Sequence, residues 1–348
     1  MDLVSRLLDC PRGRFFSANV GYLCHDDEQV SLHMRPRTHR TVLDTLAKVD
    51  ARAVAALPEA ALLDALGLAV DFARYWQPPD EEDLLFAHPD AVAALRPIAQ
   101  AALSSPHAAW WGDPVDVDNQ RSVEGFRPER GWAERPLADH RPDDALDRWR
   151  HHALEWEARF RQYLAEDPGS NVGGEWWSTP VPSSTPSTTR EREGVGALEL
   201  LLEEDSMGYD RARVRPVRVD GTPRAYEIGG PADWARLVDS YPFPVPASRR
   251  SEWYYTTGRY LDWHIPDWVA VAADYDAVHL TVHGYLTTPG IAIPLVERPG
   301  ATVLAGWDPD ATFWLRAGVI TIDDDPIEWH RTPTGPWTPA RAGTDAID

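Results

Sequence analysis

The sequence predicts an α+β fold in which a mainly helical N-terminal domain precedes an α+β domain built on a largely antiparallel sheet. Three observations carry this expectation. Apolar residues of the first half recur every three to four positions. In the second half the pattern changes to short strand-like runs separated by turn residues. Between them, residues 168–196 are rich in Pro, Ser, Thr and Gly, the composition of a linker. With 348 residues the chain is long enough for two cores, so the expected division is a helical domain at 1–167, a linker at 168–196, an α+β domain with the candidate pocket at 197–325 and a Pro-rich tail at 326–348.

Residues 1–40 read as irregular, with a short strand at 15–23. From Thr41 the period is helical through Val42, Leu46 and Val49, and Pro58-Glu59 then opens a helix carried by Leu62, Leu66, Val70, Ala73 and Trp76 until Pro78-Pro79 ends it. Another helix spans 90–103, stopped by Ser104-Ser105-Pro106. Pro142-Asp-Asp opens a third, with Leu146, Trp149, Ala153, Trp156, Phe160 and Tyr163 along one stripe. Within the linker, Trp176 and Trp177 are poor candidates for free solvent and are expected to anchor it against a domain. The second half reads as a buried strand at 197–202, strands at 213–219 and 224–228, helices opened by Pro231-Ala-Asp-Trp and Pro266-Asp-Trp, and strands at 278–286, 291–296, 301–306, 311–315 and 319–322. The tail should wrap the surface or be mobile.

Composition narrows the function. Hydrophobic residues make up 43% and charged residues 26% of the chain, the balance of a soluble globular protein. A formal charge of −21 argues against nucleic acid as a partner, since phosphate-backbone binding needs clustered Lys and Arg. It leaves room for a basic protein partner, or for an acidic surface that is simply well solvated. Neither an export signal nor a run of about 18 apolar residues is legible, so a cytoplasmic protein without membrane contact is expected, its two cysteines, Cys10 and Cys24, free thiols. Cys10, Cys24, His25, His33 and His39 are zinc-type ligands crowded into one segment, but the paired spacing of structural zinc sites is missing and no metal is assigned. His151 and Glu155 read as a solvated pair rather than a metal site. The Walker, dinucleotide, nucleophile-elbow and His-Glu-x-x-His signatures are all absent, and the sequence names no cofactor.

The run from 278 to 286 is the best-patterned strand. Val278, Leu280 and Val282 form one face, and His279, Thr281, His283 and Tyr285 the other. The polar face suits the wall of a pocket or a hydrogen-bonded core network. Its imidazoles are about 13 Å apart along a strand, too far to share a metal but each fit for acid, base or hydrogen-bonding work. Arg249-Arg250, followed by Glu252-Trp-Tyr-Tyr-Thr-Thr-Gly-Arg259, could hold a phosphate or carboxylate beside a flat ring, or serve as surface ion pairs. Asp308 and Asp310 in Gly306-Trp-Asp-Pro-Asp look like turn carboxylates that accept backbone N–H groups. Buried packing is the expected use of the 16 tryptophans.

The series Tyr226-Glu-Ile, Asp233-Trp, Tyr241-Pro, Arg249-Arg250, Pro266-Asp-Trp, Val278-His-Leu and Gly306-Trp-Asp-Pro-Asp resembles a group of actinobacterial proteins to which no activity is attached, over about the last 170 residues. The order of elements is also similar to that of the ADP-ribosyltransferases. That likeness implies a strand Arg or His, a Ser/Thr or Tyr element and a late catalytic Glu, of which Tyr255-Thr-Thr257 is a loose counterpart of the second and Glu297 stands poorly placed for the third.

The leading expectation is a group-transfer enzyme, or a binder of an anionic, nucleotide-like ligand, whose C-terminal domain uses His279, His283 and Tyr285 as catalytic groups and Arg249, Arg250 and Thr281 as ligand contacts. The alternative is an acidic interaction protein of the antitoxin or immunity kind that binds a basic partner.

Overall fold

The computed structural model describes residues 2–24, 38–129, 131–132, 142–171, 173–180, 185–204, 208–332 and 335–340. His25, His33, linker residues 172 and 181–184, and tail residues 333–334 and 341–348 lie outside them.

The first half is helical: α1 (Leu3–Asp9), α2 (Pro11–Leu23), α3 (His39–Leu46), α4 (Ala51–Ala55), α5 (Glu59–Asp71), α6 (Glu81–Phe86), α7 (Pro89–Leu103) and, after a 3₁₀ turn at Pro106–Gly112, α8 (Pro142–Glu166). The expected strand at 15–23 is the body of α2. Its alternation misleads because α2 packs against α1, α5, α6 and α7 and is buried nearly all round, and a helix apolar on every side has no amphipathic period. Pro11 at its first turn and the close approach at Gly13, where a Cβ would meet Leu7 O at 2.0 Å and Leu286 O at 2.7 Å, fix its position. The helix from Pro58 ends at Asp71, earlier than expected, and residues 72–79 turn back over the core.

The first half also supplies strands β1 (Gln120–Arg127) and β2 (Gly131–Trp132), which apolar periodicity does not reveal because polar and apolar residues of β1 are buried alike. The linker region carries β3 (Ser187–Thr188) and β4 (Glu191–Arg192), and next come β5 (Gly196–Ala197), β6 (Arg211–Val219) and β7 (Ala225–Ile228). The expected strand at 197–202 is thus only the end of β5 followed by a 3₁₀ turn at Leu198–Leu200. Then follow α9 (Pro231–Ser240), β8 (Pro242–Pro244), α10 (Arg250–Thr257), β9 (His264–Pro266), α11 (Trp268–Asp274), β10 (Ala277–Leu280) and α12 (Val282–Thr287). Short strands close the chain: β11 (Ile293–Pro294), β12 (Ala301–Thr302), β13 (Thr312–Trp314), β14 (Ile320–Ile322), β15 (Ile327–His330) and β16 (Thr338–Pro339).

The fold is α+β. One sheet runs β16-β15-β6-β1-β2, with β14 also paired to β6, and its pairs are antiparallel. The other runs β3-β13-β10-β7, in which β10 and β7 are parallel and the remaining pairs antiparallel. The tail therefore contributes strands at Ile327–His330 and Thr338–Pro339, with Trp337 in a small core beside Val123, Tyr209 and Val214. The main core is one continuous cluster. It contains Leu7, Phe16, Leu66 and Leu95 from the N-terminal helices together with Trp234, Trp253, Trp268, Leu280, Leu286 and Trp307 from the second half. The linker is built into it. Glu175 N–H donates to Ser248 O at 3.0 Å, Ser178 N–H to Ala305 O at 3.0 Å, and the Trp176 ring lies 4.9 Å from Trp76. Among the described residues no helix is long and apolar enough to cross a membrane.

Candidate functional site

The expected strand at 278–286 stops at Leu280. Thr281 caps the next helix, its Oγ1 accepting the Gly284 N–H at 2.9 Å, and Gly284 is needed because a Cβ there would stand 2.2 Å from Ile228 O. On a helix, residues two apart point to nearly opposite sides, so the four polar side chains do not share a face. His279 stays in the sheet, while His283 and Tyr285 diverge around α12. Thr281 is a cap.

His279 is 1% exposed. Its Nδ1 lies 2.6 Å from Glu227 Oε2 and its Nε2 3.3 Å from Asp310 Oδ1. Burial pushes the imidazole toward neutrality, but the hydrogen bonds to Asp310 and Glu227 outweigh it and lift its pKa to about 9. The ring is therefore a protonated double donor at neutral pH. Asp310 is buried in the left-handed region at φ 61 and also accepts Arg190 Nε–H at 2.7 Å and Arg190 N–H at 3.1 Å. Arg190 and Arg192 stack on the Trp110 ring, each 4.9 Å from its centroid, and Trp110 Nε1 and Arg192 both donate to Glu59. The turn carboxylates accept backbone N–H groups as read from the sequence, and Asp308 takes the Glu204 N–H at 2.7 Å. His279 thus sits in a closed, charge-balanced clamp joining β7, β10, the 306–311 turn and the chain at 190.

His283 lies with its ring edge toward Trp111, and its Nε2 is enclosed without a hydrogen bond. Burial, and next the charge of Arg6, hold its pKa below the usual imidazole value. Arg249 is 1% exposed and donates to Glu175 Oε2 at 2.5 Å and to Trp177 O at 3.1 Å. Arg250 donates to Ser170 O at 2.8 Å and lies over the Tyr260 ring. Both arginines thereby tie Ser170, Glu175 and Trp177 to the start of α10, and neither shares a partner with His279 among the described residues. The hydroxyls of Tyr255, Thr256 and Thr257 each donate to a backbone carbonyl, and Glu297 lies in the loop after β11.

Tyr285 leads elsewhere. Its hydroxyl and that of Tyr75 both donate to Glu204 Oε1, at 2.8 and 2.9 Å. The other carboxylate oxygen of Glu204 is enclosed and has no hydrogen-bond partner among the described residues. Burial drives the Glu204 pKa up to about 7 despite the opposing pull of the two hydroxyls and of the Arg12 charge. Asp308 is also held well above the usual carboxylate range, by burial first and by Glu204 next.

In front of Tyr75 is a cavity of about 110 Å³ between α2, the 72–79 turn, α6 and the backbone at 256 and 290, lined by Arg12, Arg14, Arg74, Tyr75, Gln77, Asp83 and Thr256 among others. Arg12 is buried and already donates to Ala69 O at 2.6 Å and Asp83 Oδ1 at 3.3 Å. Arg14 donates through one terminal nitrogen to Leu8 O and Asp9 O, and its Nε is enclosed without a partner among the described residues. Arg74 is exposed, rests over the Phe72 ring and makes no ion pair among the described residues. It also lines a larger cavity of about 360 Å³ that contains Trp76, Tyr209 and Arg331. Arginines on the lining of a small cavity are the residue type that holds a phosphate or carboxylate, and an acid with pKa near neutrality bonded to a tyrosine can pass a proton. Of the six residues singled out from the sequence, Tyr285 alone touches this arrangement. Arg12, Arg14, Arg74, Tyr75 and Glu204 come from three separate stretches of the chain, and Arg12-Gly-Arg14 and the adjacent Arg74-Tyr75 are their local traces. Comparison with known proteins gives no support from kinship: no family model, no curated protein and no solved structure matches the chain.

Proposed function

We propose that the protein binds an anionic, nucleotide-like ligand through a phosphate- or carboxylate-sized group held by Arg12, Arg14 and Arg74, and that Glu204, acting through Tyr75, moves a proton in a group-transfer reaction. The observation that carries this reading is that three arginines line a cavity of about 110 Å³ in a chain of net charge −21. That volume suits one anionic group rather than a whole ligand, since pockets for drug-sized ligands run to about 300–1,000 Å³. The larger cavity shared at Arg74, with Trp76 and Tyr209 on its walls, gives the remainder of a nucleotide-like ligand aromatic faces to stack on. The architectural likeness to ADP-ribosyltransferases agrees with a nucleotide-like ligand and adds no site residue. A cytoplasmic setting belongs to this reading and agrees with the free thiols of Cys10 and Cys24.

The test is calorimetric titration and thermal unfolding of the full chain with phosphate, nucleotides and NAD, beside Arg74→Ala, whose exposed side chain carries little of the fold. A ligand at about 100 times its Kd stabilises the wild type by about 2.7 kcal/mol, and Arg74→Ala weakens binding by about tenfold or more. Equal binding by the variant, or no response to any anion, removes the proposal.

The second reading is an acidic partner for a basic protein, favoured by the charge of −21 and by the exposed run Asp323-Asp324-Asp325. It requires association that weakens steeply with salt and no response to small anions.

A further inference from the structure

A second candidate site lies apart from the arginine cavity, where the N-termini of α3 and α7 meet. His39 begins α3, His88 caps α7 and Asp90 lies in its first turn. One ligand atom from each of His39, His88 and Asp90 lies within 4.8 Å of the others. The two imidazole rings are 4.2 Å apart, inclined at 65°, and the Nε2 of His39 is enclosed with no hydrogen-bond partner among the described residues. His88 Nδ1, 3.7 Å from Asp90 Oδ2, accepts a long 3.3 Å bond from the Asp90 N–H. A metal ion could displace so weak a cap. From these residues we infer that His39, His88 and Asp90 form a site for a divalent transition-metal ion, zinc above all.

Two imidazoles and a carboxylate are the donors that zinc and its first-row neighbours take, whereas magnesium and calcium take oxygen alone. Three protein ligands around zinc leave a fourth position for water. The ligand atoms are somewhat wider apart than in a filled tetrahedral site, where zinc–nitrogen distances are about 2.0–2.1 Å, so binding draws the three side chains inward. His88 and Asp90 are exposed and free to make that movement. Asp90 supplies the negative charge that offsets the partial positive charge of two helix N-termini. The donors come from segments about 50 residues apart, so an ion here pins α3 to α7. The paired-ligand spacing of zinc fingers gives no hint of such a site, because the ligands approach only when the helices pack.

The experiment uses the full chain, freed of metal and titrated with Zn²⁺ against a chromophoric chelator, and with Co²⁺ followed by its visible spectrum. His88→Asn keeps a good helix cap while removing the imidazole, and His39→Gln removes the second. The expected result is one equivalent of tightly held Zn²⁺ and intense tetrahedral Co²⁺ bands in the wild type. In either variant, folded as judged by circular dichroism, affinity falls by more than about 100-fold, beyond the loss that follows removal of an outer-sphere partner, and the Co²⁺ bands vanish. Failure of the wild type to compete with the chelator, or equal binding by wild type and His88→Asn, overturns the site. Loss of phosphate or nucleotide binding in Arg74→Ala does not bear on it, so the two proposals fail separately.

Discussion

At the scale of single residues, two buried groups with opposite ordinary charge make stability depend on pH in the same direction. Glu204 has its pKa raised from 4.5 to about 7 in the folded chain. The folded state therefore holds this proton more tightly than the unfolded one, and the associated stability is fully present below about pH 4.5 and lost as pH rises through about 7. His279, raised from 6.5 to about 9, contributes stability that is present below about pH 6.5 and lost as pH rises through about 9. Glu204→Gln keeps an acceptor for the hydroxyls of Tyr75 and Tyr285 and abolishes the first loss only. Denaturant unfolding should show the variant equal to wild type near pH 4.5 and more stable by at most about 3 kcal/mol near pH 8. A constant difference across that range would mean that Glu204 ionises normally in the fold. If Glu204 also moves the proton in catalysis, the stabilised variant should be inactive, a trade of stability for function. The roles of these residues were hidden in the sequence because burial and partners set a pKa, and the partners of Glu204 are Tyr75 and Tyr285, 129 and 81 positions away.

At the scale of elements, the decisive event is the change from strand to helix at Thr281. The alternation through 278–286 is a sound strand signal, yet hydrophobic period alone does not separate a short strand from a short helix. What separates them is the Thr281 cap on Gly284 N–H and the contact of Gly284 with Ile228 O. Thr281→Ala should cost about 1 kcal/mol for the lost cap, and Gly284→Ala clearly more, because the backbone of β7 has to move to admit a methyl group. Denaturant midpoints of the two variants decide this, and a neutral Gly284→Ala would contradict the packing of α12 on β7. Where elements begin with a chemical signal, sequence and structure agree: Pro58 before α5, Pro231 in α9, and Asp267, whose carboxylate accepts the Ala270 N–H at the start of α11.

At the scale of the whole molecule, the chain holds together across its linker. The buried Arg249–Glu175 pair, the Trp253 Nε1–H bond to Trp176 O at 2.7 Å and the packing of Gly13 on Leu286 join segments far apart in sequence. A main core that draws on both halves predicts cooperative unfolding: tryptophan fluorescence and far-ultraviolet circular dichroism should follow a single coincident transition, whereas two separate transitions would indicate independent domains. The sequence by itself determined the α+β class, the helices α3, α5, α7, α8, α9 and α11, the burial of most tryptophans and the acceptor role of Asp308 and Asp310, because periodicity, caps and turn chemistry are properties of neighbours along the chain. Tertiary structure alone decided that α2 is a helix buried on nearly every side, that His279 is locked between two carboxylates, and that Arg12, Arg14, Arg74 and Tyr75 line one cavity with Glu204 bonded to Tyr75. The physical reason is one of range. A cap or a period is felt within a few residues, but a shared cavity or a shifted pKa is made by groups that only the packing of the whole chain brings together.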